Sequence, residues 1–436
     1  TAFEWQNGDG PSFQQDFEVL EDSPKPVSAL LIEAPGGKTL KDNLDHFVKG
    51  GVVGGVCDSC CATALFTLQT NAPSGGVGHR VGLRGGGPLT TLLMPADAEA
   101  TLWQKLWLNV RTQSDFVSKV SEPSGDVFPW LAATRVSDKK GVATLPDDVH
   151  ALQMYWGMPR RIQIEPPQES GDCTLCGMEN TPLYYEFRTK NYGVDYNGPW
   201  VHNLTPYRFD PKNVELPLSI KGQQGGLGYR HWLNLNWQDP ETGDHAALNV
   251  RDFYVSKLSE MESGYPVQLW AFGYDMDNMK ARCWYEQTLP VVAVNEDYRE
   301  QFLQLIATLI NAAKECVREL RSQVKAAWFS RPKDAKGDTA MIDASFWEAT
   351  EAQFYEHLYA LADETRFLPS DIAGQWYSHL LRICVELFDH WALEGDAEDL
   401  DMKRITQARR FLTAKLPKIK TLKQLKQIAD AKQEVA

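Results

Sequence analysis

The sequence predicts an α+β chain: a mixed α/β N-terminal domain over residues 1–290, stapled by a four-cysteine zinc site, then an all-α four-helix bundle over 291–436. Three observations carry that expectation. Two Cys-x-x-Cys knuckles, Cys57-Asp-Ser-Cys60 and Cys173-Thr-Leu-Cys176, stand far apart in the chain. Short β-favouring runs alternate with Gly, Pro and Asn clusters as far as Pro290. Beyond Pro290, apolar residues recur at helical spacing over long segments. At 436 residues the chain is too long for one ordinary core, which is why two domains are expected.

Taken in order, the N-terminal elements begin with strand-like Leu89–Met94 and an amphipathic helix near Ala98–Val110. Strand-like Arg161–Glu165 and Pro266–Ala271 follow. The stretch Leu269–Tyr285 reads as two Trp-containing strands joined by a short polar tip that projects Asp277, Asn278 and Met279. An amide beside an apolar side chain on such a tip can insert between base pairs, although a plain surface turn is the default. Asn295 is placed to cap a helix whose stripe is Phe302, Leu305, Ile306, Leu309, Ile310 and Ala313. Further helices are expected over Ser345–Ala362, Ser370–Leu393 and Asp399–Leu416, broken by Pro332, Pro369 and Gly395. The lysine-rich stretch Lys415–Lys432 is expected as a short helix with its lysines in water.

Composition excludes several classes. No apolar run approaches the roughly 18 residues a membrane helix needs, and nothing at the N-terminus reads as a signal peptide. The eight cysteines do not form a secreted disulfide pattern, so the expected compartment is cytoplasmic, without membrane contact. The chain opens on Thr1 rather than Met, which points to a tag, a processing event or a preceding segment. A formal charge of −14 argues against a free-standing, high-affinity nucleic-acid binder, while leaving room for a local contact surface on a subunit of a larger assembly.

Two intervening residues let both sulfurs of a knuckle meet one ion, so Cys57, Cys60, Cys173 and Cys176 can close a structural zinc shell. Reduced thiols or separate redox pairs are the alternative. A zinc deaminase is excluded, because no His-x-Glu occurs and neither knuckle follows a proline. Between the knuckles lies a glycine-rich run from Ser74 to Gly87. It lacks the Gly-Lys-Ser/Thr ending of a P-loop, and Gly76-Val-Gly78-His-Arg-Val-Gly82 has one residue too many for a dinucleotide fingerprint. A backbone that can approach a partner closely, flanked by His79, Arg80 and Arg84, suits a nucleic-acid groove or sugar-phosphate backbone. A pair of tight turns accounts for the same glycines equally well. No Ser-His-Asp, paired-carboxylate or His-metal constellation emerges, and catalysis is not expected.

Together and in order, these stretches resemble one family. They are Cys57-x-x-Cys-Cys-Ala-Thr-Ala-Leu-Phe66, Asn71-Ala-Pro and Gly82-Leu-Arg-Gly-Gly-Gly-Pro-Leu-Thr-Thr91, followed by the second knuckle, Asn197-Gly-Pro-Trp200 and Phe272-Gly-Tyr-Asp-Met-Asp-Asn-Met279. The set is similar to the large subunit (CasA) of the type I-E CRISPR surveillance complex, Cascade, through residues 40–290 and on into the helical region. The resemblance implies an N-terminal domain of unusual topology, a preceding segment, and a non-catalytic ribonucleoprotein subunit near the 5′ handle of the CRISPR RNA. Its implied partners are that RNA, double-stranded target DNA, the other Cascade subunits and a helicase–nuclease effector. Its implied work is to recognise the protospacer-adjacent motif (PAM), largely from the minor groove, and to wedge the duplex open so that an R-loop starts.

Residue by residue, the family's glycine loop falls on Ser74, Gly75, Gly76, Val77 and Gly78, with Val77 where a relative has glycine. Its lysine finger falls at Lys190 or Asn191. Its glutamine wedge falls on Asn278, flanked by Asp277 and Met279, with asparagine one methylene shorter. The loop between Phe47 and Cys57, with Lys49, matches one that contacts the guide handle and DNA. Two other readings compete: a zinc-dependent hydrolase acting on nucleic acid, which needs an open metal position, and a scaffold whose bundle only docks partners.

Overall fold

The computed structural model describes residues 2–6, 8, 10–43, 45, 49–112, 124–138, 142–212, 214–239, 241–258, 261, 265–277, 280–334, 337–363, 369–394 and 400–431. The N-terminal part is built from small sheets rather than one large one. A three-stranded antiparallel sheet joins Lys25–Pro26, Glu186–Lys190 and Arg161–Ile164. The helix Asp58–Asn71 lies over it, burying Cys61, Leu65 and Gln69 at four-residue spacing. Asp58 in its first turn suits the positive end of the helix dipole, and Pro73 follows its end. Leu65, Val56, Ile162, Ile164, Leu183 and Phe187 form one core here. The extended N-terminal segment is pinned to the sheet by Arg161, whose Nε meets Asp16 Oδ2 at 2.6 Å. Both charges are buried, and Arg161 Nη2 also reaches Glu18 Oε2 at 2.9 Å, so it is the loss of Arg161 that would strand Asp16 in a dry setting.

A second sheet consists of Thr90–Pro95, Val267–Asp277 and Lys280–Pro290, all antiparallel, with Val267–Asp277 in the centre. The expected hairpin is therefore present. Its strands are 11 residues each and its register runs to Asp277 opposite Lys280, with a shift between Asp275 and Met276. The helix expected over Ala98–Val110 is confined to Leu102–Trp107. Thr101 and Gln104 form a capping box at its start. At its end Lys257 Nζ donates to the carbonyls of Trp107 and Leu108, at 3.1 and 2.9 Å, and Asn109 turns back to pair with the Leu93 backbone.

The C-terminal part holds the four expected helices at Glu296–Trp328, Ala340–Ala362, Pro369–Leu393 and Met402–Lys415. Asn295 caps the first, accepting the Asp297 amide at 3.1 Å, and the whole stripe from Phe302 to Ala313 is buried. The expected break at Pro369 falls between two helices, with Pro369 opening the second, because the first turn has no intrahelical use for the missing N–H. Gly395, expected as a breaker, and Lys432 lie outside the described residues. A fifth helix, Lys420–Asp430, corrects the expectation of a merely solvated segment. It packs on Pro369–Leu393 and sinks Leu422 and Leu425 to zero exposure.

The secondary structure changes character between Pro290 and Glu296, but the core runs across that point from Leu93 and Leu269 to Phe302, Trp376 and Leu425. Tyr229, from the N-terminal part, stacks on Phe354 at 4.4 Å and shares a 2.8 Å hydroxyl contact with Thr350. Among the described residues, no helix is long and apolar enough to cross a membrane. Leu425→Ala is expected to cost about 2–5 kcal/mol by removing buried methyls, seen as a lower Tm, whereas Lys423→Gln on the outer face should stay within about 0.5 kcal/mol.

Candidate nucleic-acid interface

The sulfurs of Cys57, Cys60, Cys173 and Cys176 all lie within 4.8 Å of one another. In a tetrahedral zinc–thiolate site the sulfurs sit about 3.8 Å apart, and Cys57 Sγ is 3.7 Å from Cys176 Sγ. The four can hold one metal ion. Cys57 and Cys173 are buried, Cys60 partly so, and Cys176 is exposed. Burial pushes the Cys57 and Cys60 thiols up. Burial also pushes Cys173 up, but backbone amides of Cys176, Cys57 and Leu175 outweigh it and bring that thiol down to about 6. One of those amides is the Cys57 N–H, which donates to Cys173 Sγ at 3.3 Å. Amide donors aimed at sulfur favour the thiolate, the form that binds metal.

From this corner the helix Asp58–Asn71 runs to Pro73, where the glycine loop begins. Gly76 and Gly78 both adopt left-handed backbone, φ +74° and +73°. The Gly75 N–H donates to the His79 carbonyl at 3.4 Å, closing the loop on itself, and the Gly78 carbonyl accepts the Tyr192 N–H at 2.9 Å. A Cβ on Gly78 would lie 2.8 Å from Asn191 Cβ and 3.0 Å from the Tyr192 ring, so glycine is what permits the loop to rest against this neighbour. The structure thus brings the Ser74–Gly78 loop together with Lys190 and Asn191. Lys190 ends the strand Glu186–Lys190, paired opposite Arg161. Ser74, Gly76, Val77, Lys190 and Asn191 are exposed.

The hairpin reaches the same region through the second half of the glycine run. A Cβ on Gly87 would fall 2.3 Å from Met276 Cγ, and one on Gly86 would fall 2.8 Å from Pro73 Cα. Gly86–Gly87 is therefore a thin layer between the root of the glycine loop and the outer end of the hairpin. Asp277 is exposed at the last paired position, and Arg282 bridges Asp275 at 2.8 Å and Asp277 at 3.6 Å. Asn278 and Met279, expected at the tip, lie outside the described residues, as does Phe47; Lys49 is exposed.

Two flanking cations are not where the sequence suggested. Arg84 is 7% exposed, and its guanidinium donates to Thr205 Oγ1, the Leu89 carbonyl and Thr90 Oγ1. Burial lowers it to about 10. It braces the first hairpin-sheet strand and offers nothing to a phosphate. Arg80 is turned inward to Ser137 Oγ at 2.8 Å and Asp195 at 3.6 Å. His79 remains exposed. Sequence reasoning missed Tyr192, held at φ +66°, and Arg160, whose Nη2 donates to the Pro73 carbonyl from beneath the loop. The Asn191-Tyr-Gly193 turn signal after a strand was the available clue to the first.

The family model of CRISPR-associated protein Cse1 matches residues 1–387. The chain belongs to the Cse1 family. Among solved structures, Thermus thermophilus CasA (Cse1) aligns with a TM-score of 0.63 at 16% identity, covering 95% of this chain and 80% of that one. Thermobifida fusca Cse1 aligns with a TM-score of 0.63 at 15% identity, covering 94% of this chain and 79% of that one. A chain of a CRISPR RNA-guided surveillance complex aligns with a TM-score of 0.64 at 14% identity, covering 93% and 77%. At such identities the likeness is one of fold, and it extends over the small sheets and the helices of this Cse1-family chain alike.

The cysteine geometry has a direct test. Purified protein is expected to carry about one equivalent of divalent metal. Cys57→Ser and Cys173→Ser should each release it and lower the Tm by several degrees, by metal analysis and thermal melt.

Proposed function

We propose that this chain is the non-catalytic large subunit of a type I-E Cascade complex, reading the PAM in double-stranded DNA and starting R-loop formation. The observation that carries this reading is the contact of Gly78 with Asn191, which sets exposed main chain beside an exposed amide and an adjacent ammonium. Main-chain N–H groups near Gly76 and Val77 would approach a groove floor, where bulky side chains could not. Lys190 or Asn191 would add the polar contact, and the hairpin tip, Asp277 to Met279, would enter the base stack as a wedge. The loop from Phe47 to Cys57, with Lys49, would meet the guide handle, close to the knuckle that anchors it.

The cysteine cluster fits a structural zinc in this reading. With all four thiolates on one ion, a tetrahedral shell would be complete and would leave no position for the water a hydrolase would activate. The acidic total suits a subunit whose partners carry most of the nonspecific binding, while base pairing with the guide selects sequence. Recruitment of the helicase–nuclease belongs to the same proposal and rests on family membership.

The test uses complexes assembled with and without this chain, on duplexes with randomised flanking bases. Gly78→Val should push the loop off Asn191, and Lys190→Ala with Asn191→Ala should remove the neighbouring contacts. Each is expected to cost about 1–3 kcal/mol of motif discrimination, a loss of roughly 5- to 150-fold in motif-dependent R-loop formation, with subunit assembly intact. Unchanged yields in both variants would sink the assignment.

A further inference from the structure

Residues 400–436 contain ten Lys or Arg against three Asp or Glu, in a chain whose formal charge is −14. The basic excess is therefore concentrated at one end, and the rest of the molecule is more acidic than the total suggests. Most of this segment forms the helices Met402–Lys415 and Lys420–Asp430, beyond residue 387 where the Cse1 family model stops. Both helices are fixed to the bundle: Ile405, Ala408 and Leu412 are buried from the first, Leu422 and Leu425 from the second.

Among the described residues, three of these cations pair with carboxylates and six do not, Lys403 and Arg410 among the latter. The pairs are Arg409 with Asp389 at 2.6 Å, Lys415 with Glu319 at 2.6 Å, and Arg404 with Asp401 at 3.2 Å. Lys418, Lys420, Lys423 and Lys426 are exposed and have no carboxylate partner among the described residues. Helix stability does not account for them. The first turn of Lys420–Asp430 has no acidic residue, and cations at that end oppose the helix dipole.

We propose that these four lysines form a phosphate-backbone contact for nucleic acid, separate from the motif-reading edge. Chemistry separates this from an acidic protein surface. The exposed residues from Lys420 to Ala431 are Lys, Gln, Asp and Ala, with no large apolar side chain to make the desolvated centre of a protein interface. Ammonium groups on flexible stems, without Arg forks or aromatics, suit diffuse attraction to phosphates rather than readout of bases. Lys420 to Lys426 spans about 9 Å of helix at about 1.5 Å rise per residue, the reach of two or three successive phosphates at about 3.4 Å per strand. DNA and RNA offer the same chemistry.

The test uses the full chain and three labelled probes without any motif: a single-stranded DNA, a duplex DNA and an RNA of equal length. Binding is followed by anisotropy across a salt series. K420Q/K423Q/K426Q is expected to weaken binding about tenfold near 0.1 M salt and to lower the slope of log K against log salt by about 2. K420R/K423R/K426R should restore both, and thermal melts should match the parent. A loss confined to duplex, or to single strands, identifies the backbone that binds and supports the proposal. An unchanged affinity and slope overturns it. So does equal displacement of the probe by polyglutamate, which would assign the strip to an acidic protein. Because the probes lack a motif and the variants leave Gly76, Gly78 and Asn191 untouched, this outcome is independent of the motif-reading proposal.

Discussion

Everything at the candidate interface depends on bringing Cys57–Cys60 and Cys173–Cys176 to one point. Between the knuckles lie 112 residues, and closing a loop of that length costs about 4–5 kcal/mol of chain entropy. Structural zinc supplies about 10–16 kcal/mol in comparable small sites, well above that cost. Without such a tie the helix Asp58–Asn71 would be held by its core contacts and by Gln69, whose side chain pairs with the Arg160 backbone at 2.9 and 3.0 Å. The Cys57 amide aimed at Cys173 Sγ shows the two knuckles already oriented for each other.

The glycines act in two distinct ways along one run. At Gly78 the missing side chain lets the loop lie against Asn191 and Tyr192, with a left-handed φ. At Gly87 it lets the hairpin come down on the loop's root, where Met276 occupies the place of a Cβ. The first use concerns what faces outward. The second is pure packing, and it is what couples the hairpin to the loop. Arg84 belongs with the second: buried and committed to internal oxygens, it holds the glycine run against the Thr90–Pro95 strand.

Charge is distributed rather than balanced. An acidic body with a lysine-edged C-terminal helix would limit indiscriminate binding overall while keeping one region attractive to phosphate. The bundle provides the rigid support, since Tyr229, stacked on Phe354 and with its hydroxyl 2.8 Å from Thr350, binds it to the N-terminal part through a continuous core.

By itself the sequence determined the elements whose signals are local. Helical periodicity placed the Phe302–Ala313 stripe and its Asn295 cap, two apolar runs around a polar tip marked the hairpin strands, and knuckle spacing picked out the four cysteines. Local signals are short-range physics, readable wherever neighbours in sequence are neighbours in space. Tertiary structure decided the rest. It turned Arg80 inward and buried Arg84, because whether a cation is free depends on oxygens distant in the chain, here those of Ser137 and Thr205. It docked the helix Lys420–Asp430, expected to be solvated, because the groove that takes Leu422 and Leu425 is made by other helices. It also set Gly78 on Asn191, a meeting that no spacing in the chain encodes and only the fold enforces.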